Sequence, residues 1–274
     1  MKNIKIFLLL FLSVNILVGQ TDKIYKSLEE ALVNPKAVHH LKITYQKLQQ
    51  LAPGIGKLVN LETLELNNND LTKLPPEICA LANLKELNLF RNKLITLPSD
   101  IGNLQKLEKL VLSSNDLTQL PASIGKLQKL KELSVKDNKL ISLPDEICEL
   151  KKLEQLFLSY NNLDSLPEKF GDLIQLEQLY LEHNDLKGLP ESTSTLTNLK
   201  YFYLGKNSFS QLPLSICNMI LLKELDISYC GAMGFLPNCL RNIELLDLLI
   251  LDSNLSLPFN SSSFHNSSLK VIVK

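Results

Sequence analysis

Residues 107–129, LEKLVLSSNDLTQLPASIGKLQK, decide the fold. Leu107, Leu110, Leu112, Asn115, Leu117, Leu120, Pro121, Ile124 and Leu127 recur up and down the chain, while the residues between them vary. The first position falls at 38, 61, 84, 107, 130, 153, 176, 199 and 222, a constant interval of 23 residues. A fixed period of this length is the mark of stacked supersecondary units, each of which buries its apolar face only against its neighbours.

Within a unit, positions four and six (Leu110 and Leu112) straddle one outward residue, the period-two signature of a short strand. Stacked in parallel, such strands form a sheet along one wall. Position nine is Asn in seven successive units: Asn69, Asn92, Asn115, Asn138, Asn161, Asn184 and Asn207. The chain must turn inward after each strand, which leaves backbone groups away from water, and a buried amide can donate to and accept from them. These asparagines are therefore expected to form a structural ladder rather than a ligand site. In the second half of the unit a Pro follows a leucine, then Ile and Leu come at three-residue spacing. Pro lacks a donor and fixes the turn, and the spacing suits a short 3₁₀ turn on the opposite wall.

The pattern L-x-x-L-x-L-x-x-N-x-L, continued by L-x-x-L-P-x-x-I-x-x-L, resembles the leucine-rich repeat family over about residues 38–258. In this 23-residue form it is similar to bacterial exported repeat proteins, plant Ras-group-related repeat proteins and Ras-pathway scaffolds. The resemblance implies an α/β repeat solenoid of about ten units, a horseshoe with a parallel β-sheet on its concave wall and short 3₁₀ or irregular turns on its convex wall. Cysteine-rich caps, common in the family's eukaryotic extracellular members, have no counterpart in this sequence, which favours a bacterial exported protein.

The ends depart from the repeat. Lys2 and Lys5, an apolar run from Ile6 to Val18 and small Gly19 give residues 1–19 the form of a secretory signal peptide. The run is too short to span a bilayer, although a retained anchor is the alternative. No cysteine marks a lipid-attachment junction. Residues 20–37 carry Ile24, Leu28, Ala31 and Leu32 at helical spacing, with Ser27 and Glu30 as a capping box, and predict a helix that caps the first unit. That unit has Gln46 for Asn and Ala52 for Pro. In the ninth, Cys230 takes the ladder position, Ala232 replaces Leu, and the interval from Leu222 to Leu246 is 24 residues, so a bulge is expected around Gly231 and Gly234. A tenth unit uses Leu246, Leu249, Leu251 and Asn254. Residues 259–274 then predict a polar loop and a closing strand through Leu269, Val271 and Val273. Asn254, Asn260 and Asn266 match the N-x-S glycosylation pattern, which has meaning only in a eukaryotic secretory pathway.

Composition sets the outer bounds. Twenty-nine basic residues balance 29 acidic ones, and 45% of the chain is hydrophobic, so there is a large core and no basic excess to suggest nucleic acid. Of five cysteines, Cys79, Cys148 and Cys217 share one repeat position three units apart, roughly 14 Å by the spacing of stacked strands, and cannot pair with one another. Cys217 and Cys239 fall on adjacent turns, where pairing is open, although neither position is strictly equivalent. The default reading of all five is small buried hydrophobes.

No catalytic constellation is present in the sequence. His39, His40, His183 and His265 lack metal-ligand spacing or a nucleophile partner, and no Gly-rich phosphate loop occurs. A non-enzymatic protein without cofactor is expected. The informative residues are those pointing out of the sheet at positions three, five, seven and eight. Phe157, Tyr180 and Tyr203 follow one another at position five of units six to eight, with Tyr160, Tyr201 and Tyr229 nearby and Glu182, His183, Lys206 and Asp226 around them. Exposed aromatics with polar tips have the composition of a binding hot spot. The competing interpretation is that they pair across strands and stabilise the sheet. Units two to four offer a more polar face, with Asn67, Asn68, Phe90, Arg91, Ser113 and Ser114. The function expected is thus a secreted, periplasmic or cell-surface recognition solenoid that grips a protein partner. The alternatives are an adhesive component binding glycan or matrix, or an intracellular scaffold if the leader is false.

Overall fold

A three-residue strand spans only about 10 Å and has no stability by itself; here every strand is three residues or close to it, and each is held by the unit on either side. The computed structural model describes residues 23–231, 236–253 and 264–274. The strands are β1 (Ile24–Tyr25), β2 (His40–Lys42), β3 (Thr63–Glu65), β4 (Glu86–Asn88), β5 (Lys109–Val111), β6 (Glu132–Ser134), β7 (Gln155–Phe157), β8 (Gln178–Tyr180), β9 (Tyr201–Tyr203), β10 (Glu224–Asp226), β11 (Leu248–Leu251) and β12 (Lys270–Val273). They form one 12-stranded sheet in sequence order, all parallel. The register keeps repeat positions aligned: Leu110 pairs with Leu133, and Phe157 with Tyr180.

Behind each strand the chain returns through a 3₁₀ turn, for instance Pro76–Ala80, Ala122–Lys126 and Asp145–Glu149. The residue ahead of each of these turns is a proline in extended conformation, which sets the entry angle. Leucines of positions one, four and six are fully buried through the solenoid, as Leu107, Leu110 and Leu112 show, and form one continuous core. Fully burying such a side chain contributes about 1.5–3 kcal/mol, so stability is spread evenly along the stack.

The asparagines of position nine make a zipper. Asn115 Nδ2 donates to the carbonyls of Leu89 in the preceding unit (3.0 Å) and Leu112 in its own (2.8 Å), and its Oδ1 accepts from Leu94 N–H (3.0 Å). The Leu112 carbonyl accepts again from Asn138 Nδ2 (3.1 Å), and the Leu89 carbonyl from Asn92 Nδ2 (3.0 Å). Each such carbonyl is thereby shared by two successive asparagines. The same scheme runs to Asn207, which donates to Leu181 and Leu204. Cys230 keeps one link, its Sγ lying 3.0 Å from the Leu204 carbonyl, but has no amide oxygen for the accepting half.

At the N-terminal end, α1 (Leu28–Val33) is a helix of six residues whose Leu28 and Ala31 are buried against the first unit. Ser27 Oγ accepts from Glu30 N–H (3.1 Å), while the Glu30 carboxylate pairs with Lys23 (2.9 Å) instead of closing a reciprocal box. Strand β1 precedes this helix and extends the sheet by one more pairing, a feature that two residues of sequence do not announce. The candidate leader, Ala232, Gly234, Asn254 and Asn260 lie outside the described residues. Asn266 donates to the Leu246 carbonyl and accepts from Ser268 N–H, so its side chain is engaged in the terminal turn.

The default reading of five buried thiols is corrected at one pair. Cys217 and Cys239 form a disulfide, with Cα atoms 5.6 Å apart. Stacking of the turns Leu214–Asn218 and Asn238–Asn242 brings the non-equivalent positions together. Cys79, Cys148 and Cys230 are free and buried. Burial pushes the Cys79 and Cys148 thiols up to about 11 and Cys230 to about 12, the pattern of inert packing residues. Cys79, Cys148 and Cys217 occupy the place held elsewhere by Gly102, Gly125 and Gly171. There a Cβ on Gly125 would lie 2.4 Å from the Glu146 carbonyl oxygen, and one on Gly171 would lie 1.7 Å from that of Ser192. The turns stack so closely that the position is restricted to small residues.

Candidate functional site

Position five of β7, β8 and β9 places Phe157, Tyr180 and Tyr203 side by side because the parallel register aligns them. Phe157 and Tyr180 stack with centroids 5.0 Å apart, and Tyr180 and Tyr203 at 4.7 Å with planes only 7° apart. All three are half-buried. The Tyr203 hydroxyl donates to Glu224 Oε2. Burial, then that carboxylate, pushes the Tyr203 phenol well above its ordinary range; burial also raises Tyr180. A stack this regular stabilises the sheet by cross-strand pairing and at the same time presents a rigid row of ring edges.

Beside it runs a second row, produced by an unusual backbone. The residue at position eight has φ between 52° and 59° in nine consecutive units: Tyr45, Asn68, Arg91, Ser114, Asp137, Tyr160, His183, Lys206 and Tyr229. None is glycine, and left-handed residues of this kind carry a conformational cost. Hydrogen bonds to the next unit hold them: Tyr160 N–H donates to the Glu182 carbonyl (2.8 Å) and His183 N–H to the Gly205 carbonyl (2.9 Å). Tyr160 and His183 stack at 3.9 Å. Lys136 lies 5.3 Å from the Tyr160 ring centroid and Lys206 lies 5.8 Å from that of Tyr229. Tyr160 and Tyr229 are 46% and 51% exposed, which makes them the accessible aromatics of this region.

The second row borders a cleft of about 270 Å³, lined by Lys136, Tyr160, Glu182, His183, Gly205, Lys206, Asp226, Ser228, Tyr229 and Lys274; Phe157, Tyr180 and Tyr203 do not line it. Gly205 forms its floor; a Cβ there would lie 3.1 Å from Asp226 Oδ1. Asp226 is buried, accepts from Ser228 N–H (2.8 Å) and Oγ (2.6 Å), and is neutralised by Lys274, which reaches back from the final strand (3.4 Å). Glu182 accepts from Ser159 Oγ and has no basic side chain within ion-pair distance among the described residues. Burial raises its carboxyl above the ordinary carboxylate value. Burial, followed by Lys206 and Lys136, lowers His183, so the ring stacked on Tyr160 is neutral at pH 7.

Phe157, Tyr160, Tyr180, Glu182, His183, Tyr203, Lys206 and Tyr229 thus share one surface. Tyr201, at position three, lies opposite Gln178 and Glu224 and joins neither ring stack. Position seven is not uniformly outward: Ser113, Ser159 and Ser228 are buried, because short side chains there tuck under the next unit, as the Ser113–Ser134 hydroxyl pair shows (2.6 Å). Lys136, Gly205 and Lys274 are cleft residues that the sequence does not single out. Gly205 is the one glycine in its row, between Glu182 and Ser228, which is a signal for the second, while Lys274 arrives from a separate end of the chain. No group of three metal-ligating side chains occurs among the described residues, and none of their helices is long and apolar enough to cross a membrane.

Comparison with known proteins agrees with this architecture. A family profile described as "Leucine-rich repeat region" matches residues 30–114 and 78–160, and one described as "Leucine Rich Repeat" matches 152–173. No curated protein sequence matches significantly. The leucine-rich repeat protein LIC12759 of Leptospira interrogans is 28% identical with a TM-score of 0.70, over 92% of this chain and 81% of that one. The ectodomain of the Arabidopsis thaliana receptor kinase GASSHO1/SCHENGEN3, solved in complex with Casparian strip integrity factor 2, is 30% identical with a TM-score of 0.71, over 92% of this chain and 34% of its own. A structure of PEPR1 with AtPEP1 gives 33% identity and a TM-score of 0.74, over 82% of this chain and 33% of the other. The 23-residue period, the parallel sheet, the asparagine zipper and these matches agree that the chain belongs to the leucine-rich repeat family.

Proposed function

We propose that the chain is an exported, non-enzymatic recognition protein whose strand face at units five to nine binds a protein partner. The observation that carries this reading is the surface on which exposed Tyr160 and Tyr229 flank a rigid Phe157–Tyr180–Tyr203 stack and a polar cleft. A preorganised aromatic surface binds with little ordering cost. Among similar solved structures, a receptor kinase ectodomain is in complex with Casparian strip integrity factor 2, and PEPR1 was solved with AtPEP1. Export is supported by the form of residues 1–19 and by the Cys217–Cys239 disulfide, since such bonds persist in oxidising compartments. In this reading residues 1–19 are the leader, 20–37 the cap, 38–258 the solenoid and 259–274 the closing segment.

The test is affinity capture by the mature protein beside a Tyr180→Ala, Tyr203→Ala variant and a Tyr160→Ala, Tyr229→Ala variant. The reading expects one or both variants to lose protein captured by the parent. Identical capture by all three refutes it, and binding on a glycan array with no protein captured supports the adhesive alternative.

A further inference from the structure

The cleft over Gly205 has a specific charge order from floor to rim. Glu182 is set into it, hydrogen-bonded to the buried Ser159 and facing no cation at contact distance among the described residues. The other carboxylate, Asp226, already has Lys274 and both Ser228 donors. Lys136 and Lys206 stand at the rim, exposed, each drawn toward a tyrosine face and neither in an ion pair with a described residue. Gly205 leaves open the space that any side chain at that position would fill against Asp226 and Ser228.

Depth decides which of these charges selects a ligand. An exposed ammonium remains hydrated and contributes little to specificity, whereas a carboxylate withdrawn from water gains most from an incoming opposite charge. At about 270 Å³ the cleft falls just below the ~300–1,000 Å³ of pockets that enclose a whole small molecule, and suits one extended side chain. Tyr160 already stacks on His183 and carries Lys136 over its ring, so selection for a cation rests on the Glu182 carboxylate and its depth.

Building on the recognition surface proposed above, we infer that the cleft receives one basic side chain of the protein partner, a lysine or arginine seated over Gly205 against Glu182. Acidic residues beside it in the partner meet Lys136 and Lys206 at the rim. The partner segment is therefore of mixed charge, with its cation inserted and its anions outside.

A displayed library of random linear peptides tests this, selected on the full mature protein and on its Glu182→Gln and Tyr180→Ala, Tyr203→Ala variants. Peptides enriched on the parent are expected to share a lysine or arginine with acidic neighbours. Replacing that basic residue by methionine in the synthetic peptide weakens binding about tenfold or more, and Glu182→Gln removes the difference. Thermal melts of Glu182→Gln at or above the parent's establish that it folds. Enriched peptides without a basic residue, or unchanged affinity of the basic peptides for Glu182→Gln, overturn the inference. If Glu182→Gln is silent while the tyrosine variant loses binding, the recognition surface stands and the cleft assignment falls. If neither variant matters, or the parent enriches nothing, both fall; glycan binding lost in Glu182→Gln without any peptide binding also refutes the basic-residue assignment.

Discussion

Replacing Asn115 and Asn138 by alanine, singly and together, probes the zipper in a way that one substitution cannot. Asn115→Ala removes four hydrogen bonds, yet the Leu89 carbonyl keeps Asn92, the Leu112 carbonyl keeps Asn138 and the Ser113 carbonyl keeps the Arg91 N–H, so the group left unsatisfied is the Leu94 N–H. One orphaned buried donor costs about 1–3 kcal/mol, and about 2 kcal/mol is expected for the single variant. Asn138→Ala exposes the Leu117 N–H to the same fate, while its carbonyl partners are again half-served. In the double variant the Leu112 carbonyl loses both donors. A penalty absent from either single variant then appears, and the cycle should show coupling of about 1 kcal/mol beyond additivity. Urea denaturation of the four proteins measures it, and the pair Asn69→Ala with Asn161→Ala, which shares no carbonyl, is the additive control. Additivity of the Asn115 and Asn138 changes, or a single-variant cost near zero, refutes the shared-carbonyl account.

Other expectations follow from the same geometry. Changing Cys217 and Cys239 together to serine, or reducing their bond, opens a crosslink between residues 22 apart and should cost about 3 kcal/mol, with faster amide exchange in the ninth and tenth units as the local readout. Gly171→Ala drives a Cβ into the Ser192 carbonyl and should destabilise by about 3 kcal/mol or more. Gly188→Ala meets nothing within 4 Å and should stay within about 0.5 kcal/mol of the parent; thermal melts distinguish them. Glu182 has its folded-state carboxyl raised above the ordinary 4.5, so the folded state holds that proton more tightly than the unfolded chain. Its favourable contribution is present below the unfolded value and lost as pH rises through the folded one. Glu182→Gln should therefore melt like the parent in acid and above it at neutral pH; a variant less stable at neutral pH contradicts the burial argument.

The period of 23 residues, the buried leucines and the role of the asparagines are legible in the sequence because each is repeated, and repetition separates frame from variation. What is not legible belongs to contacts between units or between distant segments. The disulfide depends on a register that the longer ninth unit shifts. Lys274 meets Asp226 across 48 residues of chain. The small-residue rule behind Gly102, Gly125 and Gly171 arises from the spacing of stacked turns, which no single unit encodes. For the candidate site, alignment of repeat positions assembles the aromatic row, but the burial difference between Phe157, Tyr180 and Tyr203 on one side and Tyr160 and Tyr229 on the other comes from the left-handed turn.

That turn has a consequence for what this surface can become. At position eight, β-branched side chains clash with a left-handed backbone, and none of the nine residues there is Val, Ile or Thr. The row that displays Tyr160, His183, Lys206 and Tyr229 therefore draws on a restricted chemical alphabet of amides, charged groups, serine and rings. Variation along it can exchange charge for aromaticity from one unit to the next while the scaffold stays intact, but it cannot turn the row into a β-branched aliphatic stripe. The backbone thereby biases the proteins built on this repeat toward polar and aromatic recognition before selection acts on any partner.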